Sequence, residues 1–143
     1  GAAAVVLMRA GDAERQGRHP RARIVSYAVA GIEPEVMGYA PVFAIEKALQ
    51  KAGLTVDDLD IVELNEAFAA QSVAVVRDAH LDWEKTNVNG GAIALGHPIG
   101  ATGAILTVKA LHELARRRGR YGMVTMCIGG GQGIAAIFEN YQR

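Results

Sequence analysis

Apolar and polar positions follow two rhythms along this 143-residue chain, and the switches between them mark its elements. The unbroken apolar run Ala2 to Met8 predicts a buried strand over residues 1–8. A polar stretch, Ala10 to Arg18, reads as a short helix or loop leading to Pro20, and Ala22 to Ala30 predicts the next strand. Pro41 then opens a helix to Ala52, with Ile45, Ala48, Leu49 and Ala52 on one face and Gly53 as its stop. Thr55 and Asp58 are spaced as a capping pair for one short turn. Ile61 to Leu64 predicts a brief strand, Glu66 to Asp78 a helix, and Asp82 to Asn89 a loop with a short strand at its end. The longest helix opens near Pro98 and runs to about Arg118, carrying Ile105, Val108, Leu111 and Leu114 at near-helical spacing. Gly122 to Ile128 and Ile134 to Phe138 form two final strands, joined through Gly129–Gly133 as a glycine-rich hairpin.

Strands alternating with helices predict an α/β fold, with helices on both faces of the sheet and an antiparallel pair closing it. In such sheets chemistry gathers beyond the carboxyl ends of strands. Asn65, His97 and Cys127 each fall at a strand end or a helix opening.

Composition narrows the function classes. Half of the residues are apolar, and the 15 basic and 15 acidic side chains cancel, which leaves no electrostatic footprint for nucleic acid. No apolar run reaches the length of a membrane span. A single cysteine, Cys127, allows neither an internal disulfide nor a multi-cysteine metal site and points to a reducing compartment. The histidines have no ligand-like spacing, so no metal is expected. The first residue is Gly rather than Met, so a targeting sequence would not be visible here. Glycine is the outlier: 17 of 143 residues, about 12% against roughly 7% in ordinary usage. More than half of them lie in the stretches 90–103 and 129–133, where the backbone must bend or be approached closely.

Each candidate has a bland reading beside its chemical one. In Gly96-His97-Pro98, Pro98 in the first helical turn sets His97 at the positive end of a helix, which favours the neutral imidazole of a base; it also fits a plain loop with a capping histidine. Cys127 precedes Gly129-Gly130-Gly131, whose amides suit an oxyanion site; it also fits a buried cysteine on a central strand. Asn65 either caps a helix or orients a water, and Glu66 reads as a first-turn charge. The arginines at 116–118 and 120 read as solvated complements to a helix dipole.

Taken together, Asn65-Glu66-Ala67-Phe68, Gly90 to Gly103 around Gly96-His97-Pro98, and Cys127-Ile128-Gly129-Gly130-Gly131-Gln132-Gly133 resemble the carboxyl-terminal half of a thiolase, with Met37-Gly38-Tyr39-Ala40-Pro41 as a further likeness. The resemblance implies two similar halves in an α/β/α/β/α arrangement. This chain would be mainly the second: a thiolase-like half with a mixed five-stranded sheet, residues 1–20 ending the first half and 21–143 forming the C-terminal domain. It implies acyl transfer from acyl-CoA to a cysteine and then to the α-carbon of a second thioester, or the reverse thiolysis. Coenzyme A is then a substrate, no cofactor is needed, and a homo-oligomer, dimer or tetramer, in cytoplasmic fatty acid metabolism is expected. By motif, Cys127 becomes base and acid, His97 activates another cysteine and donates to a thioester oxygen, Gly129 supplies an oxyanion donor, Asn65 holds a water, and Phe68 with Ala67 lines the substrate pocket. The acyl-accepting cysteine is not among these residues, so the chain alone is expected to be inactive. A Cys-His-Asn hydrolase and a non-catalytic assembly module are the alternatives.

Overall fold

A computed structural model of the chain describes residues 1–142. Its elements are α1 (Ala10–Arg15), β1 (Ala22–Gly31), α2 (Pro41–Ala52), β2 (Leu59–Leu64), α3 (Ala69–Asp78), α4 (Ala92–Leu95), α5 (Thr102–Arg117), β3 (Tyr121–Gly129) and β4 (Gln132–Asn140), with 3-10 turns at Pro34–Tyr39, Val56–Asp58 and Trp83–Lys85. The four strands form one mixed sheet in the order β1-β4-β3-β2; β2 and β3 run parallel, and β4 is antiparallel to both of its neighbours.

The sheet divides the core in two. On one face Ala44, Ile45, Ala48 and Leu49 of α2 and Val75 and Val76 of α3 meet Val62, Leu64, Met123 and Ile137. On the other, Leu106, Ala110 and Leu114 of α5 meet Ile61, Val124 and Phe138. Period-two alternation therefore puts Ile61 and Glu63 toward α5 and Val62 and Leu64 toward α2 and α3. Turn chemistry fixes the joints. Thr55 donates to Asp58 Oδ2 through its backbone N–H (2.8 Å) and its hydroxyl (2.9 Å), as their spacing predicts. Gly53, at φ 66°, ends α2 with Leu54 N–H donating to Leu49 O. Gly130 and Gly131, at φ 59° and 80°, make a two-residue hairpin turn of the kind that matches strand twist. The β3–β4 loop is thus shorter than the expected 129–133.

Four sequence expectations need correction. The sheet has four strands rather than five: the expected strand after Asp82 is a single bridge, Thr86 to Val62. Residues 1–8 form no strand, because no edge within the chain receives them, and Val6 and Leu7 are 90% and 74% exposed. Helix α3 begins at Ala69 rather than Glu66, since the side chains of Asn65 and Glu66 bond to other segments and Phe68 is extended (φ −144°). Helix α5 begins at Thr102: Ala101 lies at φ −118°, so the turn that starts at Pro98 is separate from the helix. The molecular surface of 8130 Å² exceeds the roughly 7,100 Å² of a compact chain of this mass, and the exposed Ile93, Leu95 and Ile99 add to the apolar surface of residues 5–8.

Candidate active site

The parallel pair carries the site. Leu64 pairs with Thr125, and the next residue, Asn65, donates its backbone N–H to Thr125 O at 3.0 Å. Asn65 therefore leaves the carboxyl end of β2 where β3 is two residues short of Cys127. Its side chain is 1% exposed, and its Nδ2 lies 3.3 Å from His97 Nε2.

The protonation pattern of His97 follows from its other neighbour. Thr102 Oγ1 donates its one proton to Pro98 O (3.0 Å), so it can only accept from His97 Nδ1–H (2.7 Å). The lone pair is then on Nε2, facing the donating amide of Asn65. This relay, rather than the helix-start placement expected at Pro98, orients the ring: Thr102 is the first residue of α5, five residues beyond His97. His97 is itself exposed. Beside Asn65, a small cavity of about 20 Å³ is bounded by Gly91, Gly96, Pro98 and Thr102, room for one water. Asn65 Oδ1, buried, finds no donor among the described residues.

Cys127 is half-buried near the end of β3, opposite Gly133. The register breaks at Ile128, so that Gly129 faces Gln132, and Gly129 takes φ 98°, a conformation suited to glycine. Among the described residues no hydrogen bond joins Cys127 to His97 or Asn65; Asn65 follows β2 and Cys127 lies near the end of its parallel neighbour β3. Gly133 holds the hairpin base against the start of α2, where an added Cβ would lie 2.5 Å from Ala40 C. Ala67 is half-buried, and Phe68 presents its ring to solvent at 65% exposure. No group of three or more His, Cys, Asp or Glu among the described residues is placed to hold a metal, and no described helix is long and apolar enough to cross a membrane.

The thiolase C-terminal domain family matches residues 18–140. This chain belongs to the thiolase family. It is 64% identical over 138 residues to a beta-ketothiolase of Cupriavidus necator, covering 96% of this chain and 35% of that protein, and 55% identical over 139 residues to a 3-ketoacyl-CoA thiolase of Bacillus subtilis, covering 97% and 36%. Among solved structures, human mitochondrial 3-ketoacyl-CoA thiolase in complex with CoA superposes with a TM-score of 0.90 at 53% identity, over 92% of this chain and 33% of that one. The chain spans about a third of the length of the curated relatives it matches.

In this thiolase domain the structure also assigns work to side chains that the sequence reading passed over. Thr102 is the acceptor for the His97 ring. Asn87, at φ 49°, extends the edge of β2 by accepting from Leu64 N–H (2.9 Å) and donating to Leu64 O (2.8 Å). Glu63, fully buried and facing α5, receives Lys109 Nζ at 2.8 Å; burial raises its pKa, against the opposing pull of Lys109. A threonine five residues after a histidine, and charged residues inside an otherwise apolar strand, are the signals that would have marked these positions. The arginines read as solvated are also engaged: Arg116 and Arg117 pair with Glu113, and Arg120 with Glu139.

Proposed function

We propose that the chain supplies the carboxyl-terminal half of a site for thioester Claisen chemistry, joining acyl-CoA units or, in reverse, cleaving 3-ketoacyl-CoA with CoA. The observation that carries this reading is the relay Asn65–His97–Thr102, which leaves a lone pair on His97 Nε2 against Asn65, the residue that follows β2, while Cys127 lies near the end of the parallel neighbour β3.

The chemistry needs this set. An acyl-accepting cysteine, supplied from outside the chain, loses its proton to His97 Nε2, the thiolate takes the acyl group from acyl-CoA, and Cys127 gives its thiol proton to the departing CoA thiolate. Cys127 as thiolate then removes an α-proton of a second thioester, while His97 Nε2–H and a water held at Asn65 Oδ1 donate to the enolate oxygen. The carbanion attacks the acyl carbon, the N–H of Gly129 receives the oxyanion, and collapse returns the cysteine thiolate. Ala67 and Phe68 line the acyl side. Coenzyme A and acyl-CoA are substrates rather than cofactors. Residues 1–20 end the N-terminal half, 21–143 form the C-terminal domain, the exposed apolar surface is covered by that half in a cytoplasmic homo-oligomer, and the chain alone does not turn over. The hydrolase alternative would use Cys127 as a nucleophile bonded to His97, whose ring nitrogens are instead engaged by Asn65 and Thr102 among the described residues.

Thiolysis of acetoacetyl-CoA by the protein carrying both halves tests the roles. Cys127→Ala and His97→Ala are each expected to lower the rate by about 10² to 10⁴. A variant that keeps a tenth of the rate overturns its assignment.

A further inference from the structure

The segment that delivers His97 is held by the Glu66 carboxylate and by Lys109, itself paired with Glu63. Glu66 accepts from Asn87 Nδ2 at 2.9 Å and from the backbone N–H of Ile93 at 3.0 Å. Its carboxyl group lies flat against Gly91, where an added Cβ would overlap it, so glycine at 91 is required for the contact. From the other side, Lys109 Nζ, paired with Glu63, donates to Gly90 O at 2.5 Å. The backbone from Gly90 to Ile93 is thereby fixed four residues before His97, while His97 and Gly96 themselves are exposed, with Gly96 at φ 97°.

We propose that Glu66 is a positioning residue: by clamping the Gly91–Leu95 turn through Ile93 N–H and Asn87, it sets where His97 stands relative to Asn65 and Thr102. Glu66 does not touch the ring. Without its acceptor, the turn loses the one side-chain bond to its backbone N–H groups among the described residues, and a displacement of about 1 Å at a reacting group is enough to cost roughly 10²-fold in rate. Lys109 at Gly90 O restrains the start of the segment but leaves the approach to His97 free. The catalytic consequence rests on the thiolase reading given above; the placement of His97 does not.

The test has two arms. In the ¹⁵N-labelled chain, long-range imidazole spectra of His97 at neutral ring charge are expected to show the Nδ1–H tautomer in wild type and a mixture in Glu66→Gln and in Gly91→Ala, with the double variant no worse than either single one. Hydrogen exchange in the wild-type chain needs no variant: the Ile93 amide is expected to be protected, and exchange at the rate of a free amide overturns the clamp even if a variant fails to fold. In the protein carrying both halves, Glu66→Gln is expected to lower kcat for thiolysis roughly 10- to 100-fold with KM within twofold. An unchanged His97 spectrum together with an unchanged kcat overturns the proposal. Absence of thiolysis in the wild-type assembly instead overturns the thiolase reading, leaving the spectral arm to decide the clamp.

Discussion

Asn65 Nδ2 donates to His97 Nε2 across 3.3 Å, joining the residue that follows β2 to one 32 positions later on the loop before α5. The contact is long for a hydrogen bond and leaves the Nε2 lone pair weakly engaged. The other end of the ring is held firmly, at 2.7 Å to Thr102.

Thr102→Val removes that acceptor while nearly preserving shape. The variant is expected to shift His97 toward the Nε2–H tautomer and to lower thiolysis in the complete assembly roughly 10- to 100-fold, with a stability cost of about 1 kcal/mol for the lost hydroxyl bond to Pro98 O. Imidazole ¹⁵N shifts and urea unfolding read the two effects separately. A normal rate with an altered tautomer would show that the tautomer is not what catalysis needs.

Lys109→Met strands the Glu63 carboxylate in a fully buried setting. Removing one member of a buried pair costs about 3 to 5 kcal/mol, and the loss is expected to depend on pH with a defined sign. Burial raises the folded pKa of Glu63 above its ordinary value of 4.5, so its ionisation opposes folding. The penalty is therefore greatest above the folded pKa and fades as pH falls toward 4.5 and below. Pairing Lys109→Met with Glu63→Gln should restore much of the stability at pH 7. Denaturant midpoints across pH 4 to 8 measure both.

Glu113 behaves in the opposite way. Hydrogen bonds from Arg116 above all, opposed by burial and aided by Asn89 and Arg117, hold its carboxyl at about 2 against an ordinary 4.5. Its contribution to stability is complete above pH 4.5 and is lost as pH falls toward 2. Glu113→Gln should cost about 1 to 2 kcal/mol at pH 7 and flatten the acid limb of the stability curve in that window. An acid limb identical to wild type would contradict the pairing.

Gly133→Ala places a methyl 2.5 Å from the carbonyl carbon of Ala40 and 2.6 Å from Pro41 N, backbone that cannot swing aside. The expected cost is about 1 to 3 kcal/mol, read from the unfolding midpoint, with the damage centred on the hairpin that carries Cys127 and Gly129. A neutral substitution would mean that the hairpin does not pack against the start of α2.

The sequence pattern made the helix α2, the capping pair Thr55–Asp58 and the closing hairpin readable because each is decided locally, by periodicity, a cap or paired glycines. The start of α3 was misplaced because Glu66 looks like a first-turn charge until its tertiary partners, Asn87 and Ile93 N–H, are known. Residues 1–8 read as a strand because an apolar run signals burial but not the partner that provides it. At the candidate site, the structure joins Asn65, which the sequence marks by its place at a strand end, to His97, which stands among glycines, and leaves Cys127 without a bond to either among the described residues. Thr102, Asn87 and the Glu63–Lys109 pair were not, since their roles arise from contacts across 5 to 46 positions.

The proposed function makes these residues half of a thiolase site that takes its acyl-accepting cysteine from outside the chain. Intact mass of the purified chain before and after incubation with acetyl-CoA, with acetoacetyl-CoA thiolysis measured alongside, tests it most directly. No stable acetyl adduct and no turnover are expected from the chain alone. A stable adduct on Cys127 accompanied by turnover would contradict it, making Cys127 the nucleophile rather than the base.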